Sequence, residues 1–221
     1  MNWQLLADAE AVARESVQRI LACARDAIRQ KGRFSLVLAG GSTPARAYRL
    51  LAEQDRQDWP AWQFYFGDER CLPAGDPDRN SVMAEQNLFR HIPVQRQQIH
   101  VIPAENGAEA AAASYAREIE TALPFDLVLL GLGEDGHTAS LFPGQEYPQS
   151  QLVVAVHDAP KPPPERVSLN YGALSLAQEL LFLVSGQGKA KAVQDWRNGK
   201  DIPVARLPEP QILIDEAAWH E

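Results

Sequence analysis

The stretch that decides the fold is DLVLLGLGEDGHTASLFPG, residues 126–144. Its apolar first half has the pattern of a buried strand, and the turn that follows contains Gly131, Gly133 and Gly136. This spacing matches the dinucleotide-binding pattern G-x-G-x-x-G, and Asp158 lies at the expected distance downstream. The stretch therefore raises a specific question, which is whether the turn binds a nicotinamide or flavin nucleotide.

The residues that follow Gly136 argue against a nucleotide site. A dinucleotide-binding fold needs a helix of about three turns or more here, because the N-terminal amides of that helix bind the pyrophosphate. Pro143, Gly144 and Pro148 end any such helix within about two turns, since proline is costly in a helix interior. The sequence instead predicts a glycine-lined turn at the carboxyl end of a strand, where open α/β sheets bind ligands.

Strand patterns and helix patterns alternate along the chain. Apolar side chains at helical spacing predict a first helix over residues 5–30. Short apolar runs without polar alternation are typical of strands buried on both faces. The predicted strands are 33–41, 62–70, 99–104, 125–131, 151–159, 166–170 and 179–186, and the further helices are 42–54, 80–92, 107–123 and 188–199. We therefore predict a single α/β domain over residues 1–221, a three-layer α/β/α fold with a mainly parallel, Rossmann-like sheet.

Composition and charge limit the classes of partner. A formal net charge of −8 and a pI near 5.2 argue against a protein that grips nucleic acid or an anionic membrane. The N-terminal segment is acidic and amphipathic, which is typical neither of a signal peptide nor of a membrane span. Cys23 and Cys71 lie far apart without metal-ligand spacing, so we expect reduced thiols in a cytoplasmic protein.

A glycine turn near the N-terminal third is a candidate anion site. In LAGGSTP, residues 38–44, Gly41 permits close backbone approach, and Ser42 and Thr43 place hydroxyl groups at a helix N-terminus. The stretch lacks the Gly-Lys-[Ser/Thr] of a Walker motif, so hydrolysis of a nucleoside triphosphate is not indicated. A simple N-capped turn explains the same residues, and the sequence alone does not choose between the two interpretations.

Charged residues follow or precede further predicted strands. Asp68, Glu69 and Arg70 come directly after a strand in FGDERCLP, Arg166 begins RVSLN, and Lys189 lies in SGQGKAKA. Each alone is typical of a solvated surface charge. Together, cations at these positions suit a phosphorylated substrate, because Arg binds phosphate bidentately. With Asp135 and His137 of the decisive stretch, they predict a pocket with an anion-binding end and a histidine end.

These stretches carry a resemblance to a known family. LAGGSTP, FGDER with DPDRNS, DLVLLGLGEDGHTASLFPG, and RVSLN with SGQGKAKA resemble, in this order, the motifs of the lactonase branch of the glucosamine-6-phosphate isomerase/6-phosphogluconolactonase family. Four separated motifs in the right order are far more specific than one. The resemblance implies a fold related to glucosamine-6-phosphate deaminase and hydrolysis of 6-phospho-D-glucono-1,5-lactone to 6-phospho-D-gluconate in the pentose phosphate pathway, without a metal or cofactor.

The resemblance also implies roles for particular residues. The histidine of the motif corresponds to His137, the expected general base, whose ordinary pKa suits that role near neutral pH. Asp68 is a further catalytic candidate, because the matching aspartate transfers protons in the deaminases. Apart from the resemblance, our own hypothesis for the mechanism is that Asp135 sets the loop geometry or the imidazole orientation and that amides of the turn at 131–136 stabilise an oxyanion. The residues expected to bind substrate and its phosphate are Gly41, Ser42, Thr43, Arg70, Arg166 and Lys189.

Two departures from family patterns bear on function. Deaminases continue the Asp-Gly-His turn with Asn-Glu-Pro, whereas this chain has Leu141, Phe142 and Pro143, and a phenylalanine cannot exchange protons. The chain also has Arg79 and Asn80 where the lactonases usually have Ser-Asn followed by an aromatic residue, so we expect these two residues to contact the sugar differently.

Two other classes of function remain open from the sequence. One is a module that binds sugar phosphates without turnover, against which the intact Asp135, Gly136 and His137 argue. The other is a subunit that acts through contacts with another enzyme, but the sequence has no heptad seam, disordered tail or basic stripe that indicates an obligatory protein partner. The spacing of the other histidines does not indicate a metal site; they are His91, His100, His157 and His220.

Overall fold

The computed structural model describes residues 1–148 and 150–219, so the expectation for His220 lies outside the described residues. Within these ranges the strands are β1 (Asn2–Leu6), β2 (Phe34–Leu38), β3 (Trp62–Phe66), β4 (Asp68–Arg70), β5 (Leu127–Gly131), β6 (Val153–Val156), β7 (Arg166–Leu169), β8 (Glu179–Val184) and β9 (Gln211–Asp215). The α-helices are α1 (Ala9–Lys31), α2 (Ser42–Ala52), α3 (Asn80–Asn87), α4 (Ala108–Ile119), α5 (Tyr171–Ser175) and α6 (Ala190–Arg197).

A six-stranded sheet forms the centre of the molecule. Its order is β1-β9-β8-β5-β2-β3, and all neighbouring strands run parallel. Every residue of β2 is buried, as expected for a strand covered on both faces. Helix α1 packs against α2, β8 and β9, and α6 packs on β8 through Trp196, whose ring centroid lies 5.0 Å from that of Phe182. The predicted α/β class with a mainly parallel sheet is thus confirmed.

A second, antiparallel sheet of order β4-β7-β6 stands beside the first and is covered by α4. The sequence predicted one strand over residues 62–70, but this segment forms β3 and β4 in different sheets. The chain changes sheet at Gly67, whose N–H donates to Leu38 O at 2.9 Å and whose carbonyl accepts from Leu169 N at 2.8 Å. The antiparallel sheet was not predicted, because strand patterns do not reveal which strands pair.

Two other predictions about elements were wrong, and two strands were missed. Helix α1 begins at Ala9, capped by Asp8, whose carboxylate accepts from Ala11 N at 2.8 Å, and the residues before it form β1. Strand β9, the partner of β1, was also missed, since a pairing between the two ends of the chain leaves no local signal. The predicted strand at 99–104 forms only an isolated bridge between Ile99 and Phe64.

The order of the strands creates a crevice between β2 and β5. After β2 the chain moves through α2 to β3 on one side of the sheet, and after β5 it moves to β8 on the other side. Where crossovers diverge in this way, the carboxyl ends of two adjacent strands open a crevice that binds ligands. The LAGGSTP turn and the glycine turn that carries His137 both leave the sheet at this point. In addition, none of the helices in the described ranges is both long enough and apolar enough to span a bilayer.

Candidate active site

A pocket of about 370 Å³ lies at the carboxyl ends of β2, β5 and β8, and β4 and β7 form its remaining wall. This volume is within the range of small-molecule sites. The structure brings nearly all the residues predicted from the sequence to this one pocket, whose lining includes Gly41, Ser42, Thr43, Asp68, Arg70, His137, Arg166 and Lys189. Asp135 is the exception, since it contacts His137 and does not line the pocket.

The hydrogen bonds of His137 define which ring nitrogen is available. Nδ1 lies 2.5 Å from Oδ1 of Asp135, which also accepts from the His137 backbone N–H at 3.2 Å. Because a carboxylate only accepts, Nδ1 carries the proton and Nε2 keeps its lone pair. Burial lowers the pKa of His137 below its ordinary value and outweighs the opposing effect of Asp135. The imidazole is therefore neutral at neutral pH, with Nε2 able to accept a proton.

The pKa of Asp135 moves in the direction that keeps it a hydrogen-bond acceptor. Burial alone would raise this pKa, but the positive charge that His137 can carry and its hydrogen bonds together hold it below the ordinary value. Asp135 is thus ionised when His137 is neutral. A carboxylate in this position fixes the tautomer and stabilises the imidazolium that forms when Nε2 takes a proton.

The glycine turn is built to seat the imidazole. A Cβ on Gly133 would lie 2.0 Å from His137 Nδ1, and Gly136 has a φ of +89°, which favours glycine. The Gly133 N–H donates to His137 O at 2.8 Å, and the Gly136 N–H donates to Gly133 O at 3.0 Å. These two amides are therefore occupied within the turn, and the expectation that they stabilise an oxyanion is wrong for them.

The side chain of Phe142 packs against the imidazole of His137. It is buried, and the centroids of its ring and the His137 ring are 4.6 Å apart.

Between β5 and β6 the described residues, 132–148 and 150–152, form turns and irregular structure without a helix. The long helix that a dinucleotide site needs at this position is thus not formed.

The N-terminus of α2 faces the pocket with its backbone amides uncapped. Gly41 precedes the helix with a φ of +107°, no side chain within the described ranges caps it, and its first turn carries no acidic residue. The Thr43 hydroxyl lies 2.5 Å from that of Ser185, which follows β8. Amides and hydroxyl groups at a helix N-terminus form a favourable site for an anion.

Two cations complete this anion-binding end. Arg166 donates from Nε to Pro163 O and from Nη2 to the carbonyls of Lys161 and Pro162, and its guanidinium lies 5.7 Å from the centroid of the Phe142 ring. These contacts fix the guanidinium against the proline-rich loop APKPPPER, residues 159–166. Lys189 is half-buried, and this burial lowers its pKa below the usual lysine value. Both charges face the same pocket as the α2 amides.

The three charged residues of strand β4 alternate between the pocket side of the strand and its opposite, buried side. Asp68 and Arg70 line the pocket, while Glu69 between them is fully buried on the other side, as strand alternation requires. Asp68 accepts from Ser140 Oγ at 2.6 Å and from Asn80 Nδ2 at 3.0 Å. Nε of Arg70 is buried and has no partner in the described part of the chain. Asp68 is thus held in the wall by two hydrogen bonds, and Arg70, whose Nη1 donates to Asp78 O, adds a positive charge to the same wall.

The Arg79-Asn80 pair is split by the fold. Asn80 lines the pocket, and it packs so closely on Gly40 that a Cβ there would lie 2.1 Å from its Oδ1. Arg79 is buried away from the pocket, where it pairs with Glu105 at 2.7 Å and Glu69 at 3.4 Å. The expectation that both residues contact the sugar is therefore wrong for Arg79.

Sequence reasoning missed two pocket residues of functional type. Lys161 lines the pocket from the proline-rich loop and lies 3.5 Å from the Glu134 carboxylate, and Ser185 bonds Thr43. The signal for Lys161 was its position in APKPPPER, where prolines restrict a loop that leads into Arg166. Among the described residues, no group of three or more His, Cys, Asp or Glu side chains is arranged to hold a metal ion.

The fold and the pocket define an α/β protein with a candidate ligand pocket at the switch point of a parallel sheet. The family model for glucosamine-6-phosphate isomerases/6-phosphogluconolactonase matches residues 7–219, and the chain belongs to this family. A 6-phosphogluconolactonase of Streptomyces coelicolor is 39% identical over 207 residues, which cover 84% of this chain and 78% of the relative. One of Mycobacterium leprae is 34% identical over 232 residues, with 98% and 93% covered.

Solved structures extend the likeness to three dimensions. The crystal structure of 6-phosphogluconolactonase from Thermotoga maritima has a TM-score of 0.87 at 29% identity, with 97% of this chain and 98% of that chain covered. A monomeric glucosamine-6-phosphate deaminase has a TM-score of 0.85 at 22% identity, with 99% and 98% covered, which shows a common fold. The relation to the deaminase fold that the resemblance implied is thus confirmed.

Proposed function

We propose that this protein hydrolyses 6-phospho-D-glucono-1,5-lactone to 6-phospho-D-gluconate, the reaction of the pentose phosphate pathway that its relatives' names describe. The observation that carries the proposal is the His137–Asp135 pair, because it leaves Nε2 unprotonated at a pocket that also has an anion-binding end. A phosphorylated lactone needs both features, one for attack by water and one for the phosphate. The Phe142 side chain beside the imidazole disfavours the deaminase reaction, which uses a carboxylate there.

In the proposed mechanism, His137 acts as general base. Its Nε2 takes a proton from a water molecule while the water oxygen bonds to the lactone carbonyl carbon, and the carbonyl oxygen becomes an oxyanion. The tetrahedral intermediate then breaks the bond to the ring oxygen, which takes the proton back from the imidazolium. Asp135 stabilises the imidazolium between these steps. The resulting carboxylic acid ionises in water.

The anion-binding end supplies position. Gly41, Ser42 and Thr43 offer amides and hydroxyl groups to the phosphate, and Arg166 and Lys189 offer charge-assisted hydrogen bonds. Binding energy at the phosphate orients the distant carbonyl against Nε2. In the opposite wall, we propose that Asp68 accepts from a sugar hydroxyl and that the positive charge of Arg70 attracts the anionic substrate.

The proposal includes the wider setting of the reaction. We propose that the chain acts in the cytoplasm as one domain over residues 1–221, needs no metal ion or cofactor, and requires neither a protein partner nor nucleic acid. The net charge of −8 supports the last point, since nucleic-acid binding needs an excess of basic residues. The assay that follows tests the independence of metal ions.

The test generates the phosphorylated lactone fresh with a dehydrogenase and follows its decay at near-neutral pH, with and without excess chelator. The wild type should accelerate decay equally in both conditions. His137→Ala should lower kcat by roughly 10²-fold or more, while His91→Ala, at an exposed histidine outside the pocket, serves as the matched control. A folded wild type without activity would overturn the proposal in favour of a binding module, and loss of activity with chelator would overturn metal independence.

A second pair of variants tests the phosphate end separately. Arg166→Lys should raise KM by roughly tenfold with little change in kcat, because a lysine cannot keep the three carbonyl contacts and still offer an N–H to phosphate, as Nη1 of the arginine can. Lys189→Ala should act in the same direction. A fall in kcat at unchanged KM would place these residues at the reacting carbonyl instead.

A further inference from the structure

We propose that Asp215, a residue outside the pocket, is a positioning residue that sets Lys189 for recognition of the substrate phosphate. This inference rests on the proposed function, since it concerns the same anion-binding end. Asp215 ends β9, next to the end of β8, and it is 3% exposed. It is not among the residues that line the pocket.

The carboxylate of Asp215 is bound to the backbone of the turn that carries Lys189. Both of its oxygens lie 3.0 Å from the N–H of Gly186, and Oδ1 also accepts from Ala218 N at 2.9 Å. Gly186 O in turn accepts from Lys189 N at 3.0 Å. Two consecutive hydrogen bonds therefore connect the buried carboxylate to the backbone of the pocket lysine.

The turn between them needs an external anchor. Gly186 has a φ of +91° and a ψ of 145°, a conformation that L side chains rarely adopt, and its neighbour Ser185 holds Thr43 through a 2.5 Å contact. A displacement of Gly186 would thus move Lys189 on one side and Ser185, with its contact to the start of α2, on the other. Asp215 fixes both halves of the anion-binding end through one amide.

A hydrogen bond from an amide to a buried carboxylate is stronger than one to a neutral acceptor. In Asp215→Asn an NH2 group replaces one of the two carboxylate oxygens that accept from the Gly186 N–H. The NH2 group and the Gly186 N–H are both donors, so they repel each other at this position. The turn would then relax and Lys189 would lose its fixed place. His137 and Asp135 lie on the glycine turn that follows β5, so the substitution leaves the hydrogen bond between Asp135 and the imidazole in place.

The experiment compares Asp215→Asn with Asp126→Asn. Asp126 is a matched control, because it is also a buried carboxylate that accepts from a backbone amide, that of Ser35 at 2.8 Å, but it lies at the opposite, amino-terminal end of the sheet. For Asp215→Asn we expect KM for the phosphorylated lactone to rise about tenfold, with kcat within about twofold. Turnover of unphosphorylated D-glucono-1,5-lactone, measured above its spontaneous hydrolysis, should match the wild type. Asp126→Asn should leave KM unchanged.

A double-mutant cycle tests whether Asp215 acts through Lys189. In a Lys189→Ala background, Asp215→Asn should raise KM further by clearly less than the tenfold expected in the wild type, since the Lys189 side chain is gone and only the Ser185–Thr43 contact is left to lose. Independent, multiplying effects would overturn the inference. An equal loss on the phosphorylated and unphosphorylated lactones, or an unchanged KM in a folded Asp215→Asn protein, would also overturn it.

Two further measurements keep the test decisive. If Asp215→Asn does not fold, Gly186→Ala strains the same turn while it keeps the carboxylate, and the same rise in KM is expected; a normal KM would overturn the inference. If the wild type does not hydrolyse the lactone, calorimetric binding of 6-phospho-D-gluconate replaces kinetics. In that case the proposed function fails, whereas a tenfold weaker binding by Asp215→Asn upholds the positioning role and equal binding rejects it.

Discussion

Asp135 holds the imidazole of His137 through a 2.5 Å contact between Oδ1 and Nδ1, from a position outside the pocket that the imidazole lines. The same oxygen accepts from the His137 backbone amide, so one carboxylate fixes both the ring and the chain that bears it. Nε2, the nitrogen that is left with a lone pair, is the proposed proton acceptor. The consequences of this relationship are measurable.

Asp135→Asn should lower kcat by roughly 10²-fold with little change in KM. An asparagine amide can donate to Nδ1 and so stabilise the other tautomer, in which Nε2 carries the proton and cannot act as a base. Steady-state kinetics on the phosphorylated lactone measure the effect, with Asp26→Asn on the exposed face of α1 as control. A kcat close to that of the wild type would contradict the orienting role.

The pH profile of kcat/KM should have its acid limb below pH 6.5, because burial lowers the pKa of His137 from that ordinary value and activity requires the neutral ring. Asp135 raises this pKa and Lys161 lowers it. In Asp135→Asn the limb should therefore move further down, and in Lys161→Met it should move up. Shifts in the same direction for both variants would count against His137 as the titrating group.

Gly133→Ala should lower kcat by roughly 10²-fold, because the new Cβ would lie 2.0 Å from Nδ1 and must displace the ring. The matched control is Gly131→Ala, two residues earlier, where a Cβ meets no atom within 4 Å among the described residues. Activity should fall much less in the control, and both proteins should unfold at similar urea concentrations. Equal activities would mean that the imidazole position is not critical.

Glu69→Gln should lower the free energy of unfolding by about 3 kcal/mol, as expected when one member of a buried ion pair is removed. Glu69 is fully buried; it accepts from the first amides of α3 and lies 3.4 Å from Nε of Arg79. Urea denaturation measures the change. Glu85→Gln, at an exposed ion pair on α3, should change stability by less than about 0.5 kcal/mol. Similar values for the two variants would show that the burial of Glu69 has little energetic weight.

The local sequence was sufficient for the class of fold and for most of the candidate site. Apolar runs and glycine turns follow from backbone and side-chain properties that act within a few residues, so β2, β5 and β8 and the turns after them could be predicted. Since the carboxyl ends of parallel strands share one sheet edge, residues as distant in the chain as Ser42 and Lys189 could be assigned to one pocket. Proline after the glycine turn likewise excluded the long helix of a dinucleotide site.

Pairing between distant segments was decided only by the tertiary structure. The parallel pairing of β1 with β9, the separate antiparallel sheet and the burial of Arg79 against Glu105 depend on contacts between segments far apart in the chain. Individual hydrogen bonds could not be predicted either. The sequence does not show that the Gly133 N–H donates to a carbonyl of its own turn, that of His137. The sequence by itself determined most of the residues that line the pocket, though not Lys161 or Ser185. Only the packing of one strand end on another decided that Asp215, on an unpredicted strand, holds the turn of Lys189.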